Sequence, residues 1–410
     1  MTESSVWDVI VLGGGAAGFF AALTCMQKNP SARVALLERS NRVLAKVKIS
    51  GGGRCNVTHA CFDPAQLTTF YPRGGKALRG PFSRFQPQDT MNWFEKRGVR
   101  LKTEPDGRVF PISDNAQTII DCLTTHARGV HIQLNASVVK IEKNSMGSFV
   151  LHSSSGETWS SKRVILATGS SPLGWDWAKS LGHTIEPPVP SLFTFSVKDP
   201  RLEGLSGLSV PQARLHIEGM SLTQEGALLL THWGLSGPAV LKLSAWGARV
   251  LHEKNYSTRL KIQWDAALSA EDWMALFHQL RTQIPKKQVT SSVPSIRLPQ
   301  RLWSRLTQAA GIAEALIWAD VSKDKLIRLI QELHAGIYSM NGKSAFKEEF
   351  VTCGGIRLDE VDFRTMESKC CPNLYLVGEM LDVDAVTGGF NFQNAWTTGW
   401  IAGMAAATFK

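Results

Sequence analysis

The 410-residue chain has no run of about 18 uninterrupted apolar residues, the length a membrane-spanning helix needs, so no transmembrane segment is expected. Its seven cysteines fall in no metal-ligand spacing: Cys55 and Cys61 are six apart, and Cys370 and Cys371 are adjacent. No metal is therefore expected, and the odd count reads as a reduced, cytoplasmic protein. Met1–Trp7 is short, polar and acidic, which fits neither a signal nor a transit peptide. Internal repeats and low-complexity linkers are lacking as well. Acid is absent from two stretches. Between Asp63 and Asp89, Arg73, Lys76, Arg79 and Arg84 alternate with Phe70, Tyr71, Phe82 and Phe85. Between Arg281 and Arg305 lie Lys286, Lys287, Arg297 and Arg301.

What is present is a globular composition, 43% apolar and 20% charged, in a chain long enough for two or three domains. The net charge is +10, and residues 39–108 hold fourteen Lys or Arg against five Asp or Glu. Cations interleaved with aromatics suit phosphates and stacked bases. The competing reading is a solvated basic face beside an anionic cofactor.

Val6–Leu12 is a continuous apolar run, the mark of a buried parallel strand. A helix over about Ala16–Gln27 and a strand over Arg33–Glu38 complete a βαβ unit. Helices are predicted over Thr90–Gly98 and Asp114–Ala127, and strands over Gln133–Ile141, Ser148–His152 and Thr158–Ala167. Residues 191–262 read mainly as β, with alternation in Leu192–Val197, Ala213–Glu218 and Thr258–Gln263. Amphipathic helices follow over Ala270–Ile284, Pro299–Ala310 and Ser322–Ser339. Leu374–Gly378 returns to parallel-strand character before a final helix over about Asn391–Thr408. The expected fold class is α/β: a Rossmann-like cofactor domain from residues 1–190 and 346–410, interrupted by a β-rich module, 191–265, and a helical module, 266–345.

Gly13-Gly14-Gly15-Ala16-Ala17-Gly18 joins the first strand to the first helix. Gly13 permits the tight turn, Gly15 lets the backbone approach a pyrophosphate, and Gly18 allows close helix–strand contact. Glu38, with Arg39 beside it, ends the second strand where a carboxylate accepts both ribose hydroxyls of an adenosine. No second strand–GxGxxG–helix exists, so no separate nicotinamide domain is visible. Ala167-Thr168-Gly169 closes an apolar strand, and Gly378-Glu379 ends another. Gly388-Gly389-Phe390-Asn391 then opens the last helix, whose positive end suits a ring that becomes anionic on reduction. Together these features indicate FAD rather than NAD as the resident dinucleotide, with Val138 a further candidate contact.

Lys46-Val-Lys48-Ile-Ser50-Gly51-Gly52-Gly53-Arg54-Cys55-Asn56 carries three successive glycines, a nest of backbone N–H groups for an anion. Arg54 and Lys48 offset flavin or substrate charge. Cys55 is the acidic hydrogen source of the motif, and the neighbouring arginine is expected to lower its pKa. The alternative is that Cys55 packs a small pocket under the isoalloxazine. His232, in Thr231-His-Trp-Gly-Leu-Ser-Gly-Pro238, reads equally as a general acid or as a structural hydrogen-bonder.

These motifs resemble the flavoproteins that carry SGGGRCN after an N-terminal Rossmann turn, usually labelled NAD(P)/FAD-dependent or aminoacetone-oxidase-like oxidoreductases and including a bile-acid-inducible type. The resemblance spans nearly the whole chain: GGGAAG (13–18), KISGGGRCN (48–56), GRVFPISDNA (107–116), ATGS (167–170), THWGLSGP (231–238), TCGG (352–355), TMESK (365–369) and GEMLDVDAVTGGFNFQNA (378–395). It departs at Phe390, where tyrosine is common, and at Cys353, where a small residue is common. The resemblance implies an FAD domain with an inserted barrel-like module and a small helical module. It also implies an oxidoreductase taking electrons from NAD(P)H, with some members reducing a uridine of ribosomal RNA to dihydrouridine by hydride transfer from flavin N5. On that reading ribosomal RNA or its precursor is the partner, Arg73, Lys76, Arg79 and Arg84 hold phosphates, and Cys55 supplies the proton. The alternatives are a small-molecule oxidoreductase acting on an enone or an amine, and a non-enzymatic flavin redox sensor or RNA-binding factor.

Overall fold

The computed structural model describes residues 6–295, 297–343 and 351–408. Strand β1 (Trp7–Leu12) is fully buried from Val9 onward, as a continuous apolar run must be in a parallel sheet covered on both faces. It pairs in parallel with β2 (Val34–Leu37) on one side and with Thr158–Leu166 on the other. His131–Gln133 extends the β2 side and Leu374–Leu376 the opposite one. Numbered along the chain, these five strands lie in the order 3-2-1-4-5. Winding therefore reverses between β1 and Thr158–Leu166, which leaves a crevice at the carboxyl ends of those two strands.

Helix α1 (Ala16–Lys28) is buried from Ala16 to Cys25 and packs lengthwise on the C-terminal helix Phe390–Ala406. Small residues permit the close approach. A Cβ on Gly399 would stand 2.6 Å from the Ala17 carbonyl oxygen, and one on Gly403 would stand 2.5 Å from that of Ala21. The first compact unit thus comprises both chain ends, Met1–Val189 and Val351–Lys410.

The second unit, Pro190–Phe350, is built on a closed barrel of six antiparallel strands. Helices Ala270–Gln283, Gln300–Ala309 and Lys323–Ala335 share its core, in which Trp264, Trp273, Trp303 and Trp318 are all fully buried. Here the helix predicted through Ser339 is corrected. It ends at Ala335, and Gly336–Lys343 is a barrel strand. Gly336, Tyr338 and Met340 point inward by alternation, and pairing with both Phe195–Val197 and Ser257–Gln263 closes the barrel. The single strand predicted over Gln133–Ile141 is also two, His131–Gln133 and Val138–Lys143, separated at Asn135, whose φ is 55°.

In the first unit, His183 is buried between a carboxylate and a hydroxyl. The Ser368 hydroxyl oxygen accepts from the Cys370 and Cys371 amides at 3.1 and 2.7 Å, so its own proton goes to His183 Nε2 at 2.7 Å. That count of partners leaves the ring proton on Nδ1, donated to Glu360 Oε2 at 3.0 Å. Burial holds the His183 pKa below its ordinary 6.5 despite the carboxylate. Burial raises that of Glu360, but bonds from Thr184 and His183 outweigh it and leave it lowered. Both groups, with folded pKa values depressed, stabilise the fold above their unfolded values and lose that contribution as pH falls. The melting temperature should therefore decline as pH drops below 6.5, and less steeply in His183→Gln. Parallel pH profiles for the two proteins would refute the assignment.

Candidate active site

At the crevice between β1 and Thr158–Leu166, steric fit dictates glycine at two positions of the turn. A Cβ on Gly13, whose φ is 109°, would lie 2.5 Å from the Ala167 carbonyl oxygen, and one on Gly18 would lie 1.9 Å from that of Gly13. Gly15 differs: a Cβ there meets nothing within 4 Å. Its glycine character leaves an open cradle in front of the first turn of α1, where Ala16 and Ala17 begin the helix and no side chain caps it. A helix N-terminus facing open volume attracts anions.

Glu38 follows β2 into the same cradle. Its Oε2 accepts from the Gly14 amide and its Oε1 from the Ser40 amide, both at 2.8 Å, which orients the carboxylate and leaves each oxygen a further lone pair. Arg39 is exposed beside it. The Ala136 amide bonds the Glu38 carbonyl at 2.9 Å, bringing the buried Val138 close by, although the Val138 amide is already donated to Ala136.

The lysine- and glycine-rich segment forms α2 (Ala45–Gly53), which breaks at Ser50. Gly51, Gly52 and Gly53 have φ values of 57°, 68° and 82°, a left-handed run that side chains disfavour, and a Cβ on Gly52 or Gly53 would meet nothing within 4 Å. Lys46 Nζ lies 2.6 Å from Glu379 Oε2 and 3.2 Å from Ser170 Oγ, while the Thr352 amide donates to Glu379 Oε1 at 3.2 Å. Gly169 and Gly378, both at positive φ, flank this carboxylate. Lys48 is exposed, and Ser50 Oγ is turned back onto the Val47 carbonyl.

Several sequence-based expectations change here. The Arg54 guanidinium sits 4.0 Å from the Phe110 ring centroid and donates to Glu104 at 2.7 Å, with Asp114 3.5 Å away, so two carboxylates already offset its charge. Cys55 is fully buried at φ 61°, and burial pushes its thiol up to about 12 against the weaker effect of a Ser50 hydrogen bond. Arg54 therefore does not acidify it. Asn56 is buried too, its amide group assigned as donating to the Thr58 and Val109 carbonyls and its oxygen as accepting from Gly389 N at 2.9 Å. Arg73 makes a two-pronged ion pair with Asp384, which is fully buried, so it is not available to an incoming phosphate. Lys76, Arg79 and Arg84 are exposed.

At the C-terminal helix, Gly389 (φ 93°) would strike the Thr58 carbonyl if it carried a Cβ, and Gly388 would strike the Phe390 ring. Phe390 stacks on His59 and Phe70 with centroids 4.6 and 4.3 Å away, and its carbonyl accepts from Tyr71 at 2.6 Å. The Asn391 side chain clamps both the amide and the carbonyl of Ala385. These residues shape the loop before the helix. Sequence reasoning missed Gln393, a buried hub that accepts from Thr58 and Thr90 and donates to Thr397. Only the Gln393–Thr397 spacing hints at it. Thr168 turns its hydroxyl toward Gly174. In the second unit, His232 is exposed on the turn between Thr223–Leu230 and Gly234–Ser236. Among the arginines of the second acid-free stretch, Arg297 pairs with the buried Asp265, while Arg281, Arg301 and Arg305 reach separate carbonyls of Ala319, Gly204 and Glu203.

A crevice at a sheet reversal, a cradle beyond Gly15, an oriented carboxylate at the end of β2 and a left-handed glycine run fit the adenosine and pyrophosphate of a dinucleotide. The HI0933-like protein Rossmann domain family matches residues 7–405. The chain belongs to this family. HI0933-like relatives include a ribosomal RNA dihydrouridine synthase of Escherichia coli K12, 30% identical, with 96% of each chain covered. Another is a 3-dehydro-bile acid delta(4,6)-reductase of Clostridium scindens, 28% identical over 97% of this chain and 98% of its own. A 3-ketosteroid delta1-dehydrogenase from Sterolibacterium denitrificans shares the fold at 13% identity and a TM-score of 0.50, covering 98% of this chain and 99% of that one. The HI0933-like chain is an FAD-dependent oxidoreductase. No helix among its described residues is long and apolar enough to cross a membrane.

Two outcomes follow from this geometry. Gly15→Ala should fold normally yet purify with much less flavin, because its Cβ occupies only the cradle, whereas Gly18→Ala should cost roughly 3 kcal/mol of stability by striking backbone. Visible absorbance per protein and thermal unfolding separate the two, and equal flavin content in Gly15→Ala and wild type would refute the cradle. Alkylation of the native protein should modify the exposed Cys370 first and spare Cys55 until unfolding. Peptide mapping after a short iodoacetamide pulse reads this directly.

Proposed function

We propose that this oxidoreductase uses NAD(P)H to reduce a uridine of ribosomal RNA to dihydrouridine. The observation that carries the reading is the exposed cation set Lys76, Arg79 and Arg84 in a stretch without acid from residue 64 to 88, joined to a dinucleotide cradle in the same unit. A relative 30% identical over nearly its whole length bears the name of that activity. When bound, FAD supplies two-electron chemistry between a nicotinamide donor and a conjugated double bond.

The chain's own residues supply the rest. The first turn of α1 and the Gly51–Gly53 run hold phosphate charge, Glu38 holds the ribose, and the Lys46–Glu379 pair fixes the strand ends around the ring system. The base must leave its stack, at a cost of a few kcal/mol. Stacking on aromatic side chains at about 1–3 kcal/mol per base offsets that cost. The fully buried Cys55 packs rather than donates.

A second reading, reduction of a small enone, is favoured by the 28% relative named for a 3-dehydro-bile acid. Both reactions add two electrons and two protons across a carbon–carbon double bond conjugated to a carbonyl, so one site chemistry serves either.

Dihydrouridine mapping of ribosomal RNA from cells with and without the gene tests the choice. Loss of one signal, restored by wild type and not by Gly15→Ala, is the expected result. An unchanged map would overturn the RNA reading and leave the small enone.

A further inference from the structure

Away from the dinucleotide cradle, helix Gly75–Phe82 and the hairpin of Val361–Asp362 and Glu367–Ser368 enclose a surface groove of about 450 Å³. Ala77, Pro81 and Phe363 line its floor, and Arg84, Arg364 and Lys369 line its rim. We propose that this groove docks one nucleotide of a single-stranded RNA segment, holding the substrate's backbone at a distance from the reacting base. The inference rests on the RNA reading above.

Three observations favour a nucleic acid. First, the groove lining carries three cations, Arg84, Arg364 and Lys369, against one carboxylate, Asp362. Arg84 donates to the carbonyl of Arg364 and Lys369 to the carbonyl of Asp359, each a neutral acceptor, and Arg364 keeps 88% of its side chain exposed although it pairs with Asp362. Second, the positive charge continues beyond the groove. Lys76 and Arg79 are exposed and three residues apart, hence on one face of the same helix. A polymer with regularly spaced phosphates uses such a track, and a free nucleotide does not.

Third, the floor is apolar and partly aromatic, with Phe363 half-buried in the groove, and the Arg84 guanidinium lies 5.8 Å from the ring centroid of Trp400, a residue outside the lining. Cations over aromatic surface suit a stacked base beside its phosphate. The volume lies in the range of about 300–1,000 Å³ typical of small-ligand sites, which fits one nucleotide rather than the face of a globular protein. None of the exposed large apolar residues lines the groove, so it offers nothing to insert into a bilayer.

The test uses the full-length holoprotein and a fluorescein-labelled single-stranded RNA of ribosomal sequence, with binding followed by anisotropy over about 50–200 mM salt. Arg84→Gln/Lys369→Gln should bind about tenfold more weakly at the upper salt. Its slope of log affinity against log salt should be smaller by about 1.4, at roughly 0.7 per lost phosphate contact. Flavin content and melting temperature confirm that the variant is folded. A charge-matched control, Lys28→Gln/Lys140→Gln on α1 and on strand Val138–Lys143, should bind as wild type does. Equal weakening in the control, or unchanged binding in the groove variant, would overturn the groove while leaving RNA as substrate. Polyglutamate competing as well as unlabelled RNA would also overturn it, in favour of an acidic peptide. Failure of the wild type to bind RNA at all would remove the RNA reading together with the groove.

Discussion

Everything around the cradle depends on how closely two parallel strands end beside one another. Where β1 turns into α1, the Gly13 backbone passes so near the Ala167 carbonyl that a methyl group would not fit. That contact sets the crevice at the sheet reversal, and the second glycine constraint, Gly18 against Gly13, sets the angle at which α1 leaves. α1 in turn is buried almost to its end against the C-terminal helix through Gly399 and Gly403. A helix dictated by residues 13–18 is therefore locked by residues nearly four hundred positions later, and the two chain ends become one unit.

Polar groups finish what sterics begin. Asn56 bonds the Gly389 amide, Gln393 gathers Thr58, Thr90 and Thr397, and Arg73 pairs with the buried Asp384. Each joins the segment after the glycine run to the C-terminal helix or the loop before it. A buried aspartate without its cation would carry an uncompensated charge, which is strongly unfavourable, so Arg73 is committed to structure. Of the four cations between Asp63 and Asp89, Lys76, Arg79 and Arg84 remain exposed. Division of labour among neighbouring arginines is thus decided by burial of their partners rather than by residue type.

Much of the cradle was legible in the sequence. The turn, the carboxylate at Glu38, the strand before Gly378-Glu379 and the final helix were all readable because their causes lie within a few residues: glycine spacing, an apolar run, a helix start. The barrel strand Gly336–Lys343 was not. Its alternation follows directly on a 3.6-residue pattern, and only pairing with strands about 80 and 140 residues earlier ends the helix. Cys55 was misread for a similar reason. Adjacency to Arg54 suggested an acidic thiol, yet Arg54 bonds Glu104 and the thiol is enclosed by residues that no local pattern reveals.

By itself, the sequence determined that this is an α/β protein with a dinucleotide turn at one end and a glycine loop before a helix near the other, because backbone sterics at glycine and the periodicity of apolar residues act over short range. The tertiary structure alone decided which charged side chains are spent internally, which remain exposed, and which thiol can react. Those properties follow from burial and from partners distant in the chain, and burial exists only once the chain has closed on itself.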